Sequence, residues 1–131
     1  EGKEKFEIYK YLQSEVSDFL TDIEIDPDEI SKFDRLLRND IALLPEEEIQ
    51  SSGYVMHTLE ASIWSLLTTE SYEDAVLKAV NLGSDTDTTG AVTGGLAGLL
   101  YGFDNIPENW LQQLARYNDI ENLAERLSDK I

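Results

Sequence analysis

A chain of 131 residues is long enough for one small domain built on one core. It carries 27 acidic against 10 basic residues, a formal net charge of −17, which argues against nucleic acid and anionic membrane surfaces as partners. With no cysteine there are no disulfides, zinc–thiolate sites or thiol chemistry, and no run approaches the ~20 apolar residues that cross a bilayer. The opening "EGKEKFEIYK" has no apolar signal-peptide core, so the expected location is the cytoplasm.

Taken in chain order, the apolar spacing predicts helices almost throughout. Phe6, Tyr9, Leu12, Val16, Phe19 and Leu20 mark a first helix, Glu4 to Leu20. The segment "DIEIDPDEI" breaks it, and Pro27 stands near the start of a second with Ile30, Phe33, Leu36 and Leu37 as its stripe. "LLPEEEIQSSGY" is a break punctuated by Pro45 and Gly53. Val55, Leu59, Ile63, Leu66 and Leu67 form a third helix. Ser71 with Asp74 has the spacing of a capping box and opens a fourth, whose buried face is Ala75, Val76, Ala79 and Val80 and whose stop is Gly83.

Thr86 to Tyr101 predicts a fifth helix in spite of its glycines. Gly90, Gly94, Gly98 and Gly102 recur every four residues and share one face, widened by Ala91 and Gly95. Each helical glycine costs about 1 kcal/mol against alanine, a cost that close approach of neighbouring helices offsets. A central buried helix is the expectation. Pro107 begins another helix with Trp110, Leu111, Leu114 and Ala115 inward, and Ile120, Leu123, Ala124 and Leu127 define the last. No alternating strand pattern occurs, so the fold class is all-α, one unit over residues 1–131.

The densest group of small oxygen ligands, "SDTDTTG", opens the glycine helix. Asp85, Asp87 and Thr88 fall on its first turn. One aspartate there is accounted for by helix capping, but two with a threonine exceed what a cap needs. An EF-hand loop requires glutamate at its twelfth position, where this chain has Leu96. A phosphatase-type D-x-D-x-T loop (Asp85, Asp87, Thr89) follows a buried strand, whereas "EDAVLKAVNLG" has helical period. A hard-metal site fits the donor chemistry, since carboxylates and a hydroxyl select magnesium or manganese. Of the remaining polar and aromatic residues, the lone His57 lies off the apolar stripe, Trp64 and Trp110 read as core, and Arg116 and Arg126 as solvated.

"GYVMHTLEASIW" (Gly53 to Trp64), "AVNLGSDTDTTGAVTGGLAGLLYG" (Ala79 to Gly102) and the tail "IPENWLQQLARYNDIENLAERL" closely resemble the C-terminal portion of the ADP-ribosylglycohydrolase family, the group that includes dinitrogenase-reductase-activating glycohydrolases. The resemblance covers residues 46–131 well and the first forty-five loosely. It implies an all-helical hydrolase with two magnesium ions, or manganese, that removes ADP-ribose from a protein side chain such as arginine or cleaves a small ADP-ribose compound. Carried over by position, Asp85, Asp87 and Thr88 match the family's C-terminal metal ligands, with Asp87 shared between the ions, and Gly53 and Tyr54 lie near the ligand pocket.

The family's other metal motif, Thr-Asp-Asp, is absent; Thr21-Asp22-Ile23 is the nearest match. The resemblance therefore implies the C-terminal part of a longer enzyme, with the acid/base carboxylate elsewhere and no activity from this chain alone. The expected macromolecular partner is a second copy of the chain or the missing N-terminal half. The alternative is a catalytically silent member that is structural or binds ADP-ribose, for the family includes a non-catalytic lens-crystallin branch.

Overall fold

Helix breaks fall where local chemistry cannot continue a helix. Asp26 caps a helix that Pro27 begins, its side chain accepting the Asp28 amide at 2.9 Å, and Glu24 just before it is left-handed (φ 56°). Ser71 accepts the Asp74 amide at 3.0 Å, as the spacing predicts, and Gly83 leaves its helix with φ +80°. The computed structural model describes residues 2–130. Its helices are α1 (Gly2–Asp22), α2 (Pro27–Ser31), α3 (Asp34–Leu37), α4 (Val55–Leu67), α5 (Tyr72–Asn81), α6 (Thr86–Tyr101), α7 (Glu108–Leu111) and α8 (Tyr117–Ser128), with 3₁₀ turns at Ile41–Leu43, Glu46–Glu48 and Phe103–Asn105. Among the described residues there is no strand, so the all-α expectation holds.

The central helix is α4, not α6. Met56, Ala61, Trp64 and Leu67 of α4 join Tyr9, Leu36, Ile41 and Ile49 in the main core. The opposite side of α4 is small and polar, with Thr58, Ser62 and Ser65 buried, and it receives α6. The predicted stripe of Leu59, Ile63 and Leu66 is only half-buried, and Val55 is exposed. A helix packed on two sides has no single apolar face, and its small residues bury as much as its large ones.

Helix α6 packs against α5 and α4 through Thr89, Thr93 and Ala97, its three buried residues. The glycine row lies beside that line. A Cβ at Gly90 would stand 2.9 Å from Val80 Cγ1, and one at Gly94 3.3 Å from the Tyr72 hydroxyl. At Gly95 and Gly98 it would meet nothing within 4 Å, and Leu99 is 87% exposed. The close approach inferred from glycine spacing is therefore real for the first half of α6 only. The second half borders an open apolar groove of about 320 Å³ with Ile8, Leu12, Leu59 and Ile63.

Three cations, one of them buried, tie the helices to each other. Lys5 of α1, 4% exposed, donates to the carbonyl of Thr69 and to Glu70 Oε1 at 3.0 Å, and so satisfies the C-terminal end of α4. Arg35 reaches the buried Glu60 at 3.3 Å and the Glu48 carbonyl at 2.9 Å. Lys78 lies 3.9 Å from the centre of the Trp64 ring, whose N–H donates to the Leu44 carbonyl at 3.0 Å. Trp64 is thus core as expected. Trp110 is half-buried and meets the Tyr72 ring at 6.2 Å.

The outer helices depart from expectation. Among the described side chains of α1 only Lys5 and Tyr9 are buried, while Phe6, Leu12, Val16 and Phe19 are exposed. The helix at Pro107 is a single turn, and Leu114 and Ala115 lie outside it and exposed. In α8 the stripe of Ile120, Leu123 and Leu127 faces solvent, and Arg116 and Arg126 are exposed as predicted. Amphipathic spacing creates an apolar face but does not supply the surface that covers it.

The glycine environments set a stability order for α6. Gly94→Leu, which must displace Tyr72 and Val76, lowers stability by roughly 1–3 kcal/mol. Gly98→Ala, with open space at the new methyl, raises it by about 0.4–1 kcal/mol. Thermal unfolding followed by circular dichroism checks both, and equal melting temperatures for the two variants would contradict the split face.

Candidate functional site

Two turns meet at one end of the helical stack, and each begins with residues that cannot stay helical. After α5, Gly83 (φ +80°) and Ser84 (φ 57°) are both left-handed and swing the chain into α6. Before α4, the Ser51–Tyr54 turn approaches from the other side. The Asp85 amide donates to the Ser51 carbonyl at 2.9 Å, and the Ser51 hydroxyl donates to the Gly83 carbonyl at 2.8 Å. These two bonds fasten the turns to each other across 32 or more residues of sequence.

Asp85 occupies the N-cap position of α6, but its side chain makes no capping hydrogen bond. Only its carbonyl serves the helix, accepting from the Thr89 amide at 3.1 Å. The cap explanation therefore does not account for the Asp85 carboxylate. Asp87 and Thr88, on the first turn, are exposed. The Asp87 carboxyl is held below its ordinary value of 3.8, first by a hydrogen bond with the Asp85 side chain and then by the backbone N–H groups of Asp87 and Thr88. Free amides at the start of a helix favour the ionised form, which lets two carboxyls sit side by side there.

Gly53 forms the facing wall. A Cβ there would stand 3.4 Å from Asp85 Oδ2, so a methyl at this position would already touch the carboxylate. Tyr54, the N-cap of α4, is 52% exposed and presents its ring outward. The structure thus brings four of the five sequence-derived positions, Gly53, Asp85, Asp87 and Thr88, to one place, and sets the fifth, Tyr54, at its edge.

The structure agrees with setting aside the phosphatase-type loop. The segment before Asp85 is helix α5 rather than a strand, and Thr89, its third signature residue, is fully buried with its hydroxyl unpartnered. Ser51, Ser52 and His57 are the residues that sequence reasoning missed. Ser52 Oγ lies 2.7 Å from His57 Nδ1, and the ring of His57 meets that of Tyr54 edge-on at 5.1 Å. The available signal was the pair of serines before Gly53, small hydroxyls of the kind that bond to backbone in turns.

The donor set is all oxygen, two carboxylates and one hydroxyl, which suits a hard divalent cation. Among the described residues, no three His, Asp or Glu side chains converge closely enough to hold a metal. The fit is therefore to part of a coordination shell. No helix among the described residues is long and apolar enough to cross a membrane.

A model of the family described as ADP-ribosylglycohydrolase matches residues 3–131, including the first forty-five residues. Over 81 residues the chain is 52% identical to ADP-ribosylarginine hydrolase Tri1 of Serratia proteamaculans, covering 62% of this chain and 22% of that protein. It is 42% identical over 65 residues to ADP-ribosyl-[dinitrogen reductase] glycohydrolase of Rhodospirillum rubrum, covering 50% of this chain and 22% of that one. Over 57 residues it is 37% identical to human ADP-ribosylhydrolase ARH3, covering 44% of this chain and 16% of the human protein. The chain spans about a fifth of the length of these relatives. With the match running along nearly all of its residues, this chain belongs to the ADP-ribosylglycohydrolase family.

Proposed function

We propose that the acidic end of α6 and the Gly53–Tyr54 turn form part of the active site of an ADP-ribosyl hydrolase, and that Asp85, Asp87 and Thr88 hold a magnesium or manganese ion of a binuclear pair. The observation that carries this reading is the Asp85 carboxylate, free of capping duty at a helix start and beside a second carboxylate. In this reading residues 1–131 are the C-terminal portion of the hydrolase domain. The acid/base carboxylate and the second set of metal ligands come from the remainder. The exposed apolar groove between α1, α4 and α6 supports completion by further polypeptide, from that remainder or from a second copy.

A bound metal ion supplies orientation of ribose and water oxygens near the anomeric carbon. The chain's own residues do the rest of the work assigned here. Asp85 and Asp87 would supply the carboxylate oxygens that hold that ion, with Asp87 kept ionised below the ordinary carboxylate range by its hydrogen bond with Asp85 and by the amides at the start of α6. Thr88 adds a neutral oxygen. Gly53 leaves the space beside Asp85 Oδ2 open, and the Tyr54 ring offers a stacking or hydrogen-bonding surface to ADP-ribose. The two relatives named ADP-ribosylarginine hydrolase support arginine as the linkage that is cut.

Two experiments test the proposal. Calorimetry with magnesium and manganese should show weak binding to the wild-type chain and none to Asp87→Asn, because three protein ligands leave the rest of a six-fold shell to water; equal binding by both removes the metal assignment. A depressed carboxyl keeps its charge as the pH falls through the ordinary carboxylate range, so the Asp87 contribution to binding should persist through that range and be lost only below it.

Release of ADP-ribose from ADP-ribosyl-arginine should be absent for this chain alone and recovered when the N-terminal portion of the Serratia relative is supplied in trans. Turnover by the chain alone would show that its acidic residues complete the site unaided. The second reading is a silent ADP-ribose-binding member of the family. ADP-ribose binding without turnover in the completed assembly would decide for it.

A further inference from the structure

His57 and Ser52 have no role in the site as described so far, yet they are bonded to its edge. Ser52 Oγ accepts the Tyr54 amide at 3.3 Å and lies 2.7 Å from His57 Nδ1. The hydroxyl can give its proton to Nδ1 or take one from it, and in either direction the bond ties the imidazole to the turn. The His57 ring stands edge-on to the Tyr54 ring, 5.1 Å between centroids and 88° between planes. The three residues close a small circuit from hydroxyl to ring to ring to backbone amide.

The circuit is needed because little else restrains the turn. Tyr54 is 52% exposed, and burial does not fix its ring. Gly53 next to it is exposed and has more backbone freedom than any other residue type. Ser51, one residue earlier, is already tied to Gly83 and Asp85, so motion left in the turn falls on Gly53 and Tyr54. His57, half-buried on the first turn of the most buried helix, is the rigid end of the tether.

We propose that His57 is a positioning residue: its bond to Ser52 Oγ and its edge contact with Tyr54 lock the Ser52–Gly53–Tyr54 turn and fix the Tyr54 ring at the edge of the site. The consequence for affinity rests on the reading of Tyr54 as a ligand-contacting side chain; the consequence for the turn does not. His57→Ala removes bond and ring together. His57→Asn places a polar atom where Nδ1 stands and restores the bond without the ring.

The test uses the full chain and two readouts. Amide ¹⁵N relaxation should show the order parameters of Gly53 and Tyr54 falling from about 0.85 toward about 0.6 in His57→Ala and recovering in part in His57→Asn, with α4, α6 and the melting temperature unchanged. Ser52→Ala, which cuts the same bond from the turn side, should give the same local loss and replaces His57→Ala if that variant does not fold. Order parameters that stay at wild-type values overturn the inference.

By calorimetry, the Kd for ADP-ribose should weaken roughly two- to tenfold in His57→Ala, the range of one ordinary hydrogen bond. It should weaken no further in His57→Ala/Tyr54→Ala than in Tyr54→Ala. Additive losses mean that His57 acts apart from Tyr54 and also overturn the inference. If the order parameters fall while Tyr54→Ala leaves affinity intact, the ligand role of Tyr54 is lost and the positioning of the turn stands.

Discussion

Two hydrogen bonds to Ser51 join the halves of the candidate site. The carbonyl of Ser51 takes the Asp85 amide and its hydroxyl reaches the Gly83 carbonyl. The first is an amide at the start of α6, with no intrahelical partner available. The second is a carbonyl freed where α5 ends. A turn from a distant part of the chain therefore satisfies orphan groups of two helices at once. It also places Gly53 against Asp85.

Charge is distributed in keeping with this arrangement. Of only ten basic residues, Lys5, Arg35 and Lys78 are spent inside the fold, on helix-end carbonyls, on Glu60 and on the Trp64 ring. The remaining surface is more acidic than the net charge alone suggests. A field of that sign draws divalent cations and repels an anionic ligand such as ADP-ribose. In the proposed function a metal ion at Asp85 and Asp87 reverses the local sign where the diphosphate-bearing ligand must approach.

The helices near the site obey their local chemistry and the outer ones show its limits. Ser71, Pro27 and Gly83 act at the positions their sequence contexts predict, because capping and left-handed turns depend on a few neighbouring residues. The faces of α4 and α6 do not follow from their own patterns. The serines and threonine of α4 are buried because α6 brings its own small line of Thr89, Thr93 and Ala97 against them. Two small surfaces pack closely without any hydrophobic periodicity to announce it. At α8 the reverse holds: a strong stripe with no neighbour to bury it.

The sequence by itself determined the all-α class, the breaks between helices, the oxygen-only cluster at Asp85, Asp87 and Thr88, and the family resemblance carried by the segments around them. These depend on local spacing and on residue chemistry, which are visible one segment at a time. Tertiary structure decided which helix is central, which glycines of α6 have a neighbour, and that Ser51 and Ser52 organise the site. It also decided that the Asp85 side chain does not cap α6, and that the Asp85 amide finds its acceptor more than thirty residues away. A hydrogen bond between distant turns leaves no periodicity in the chain, so its partners become known only when the fold brings them together.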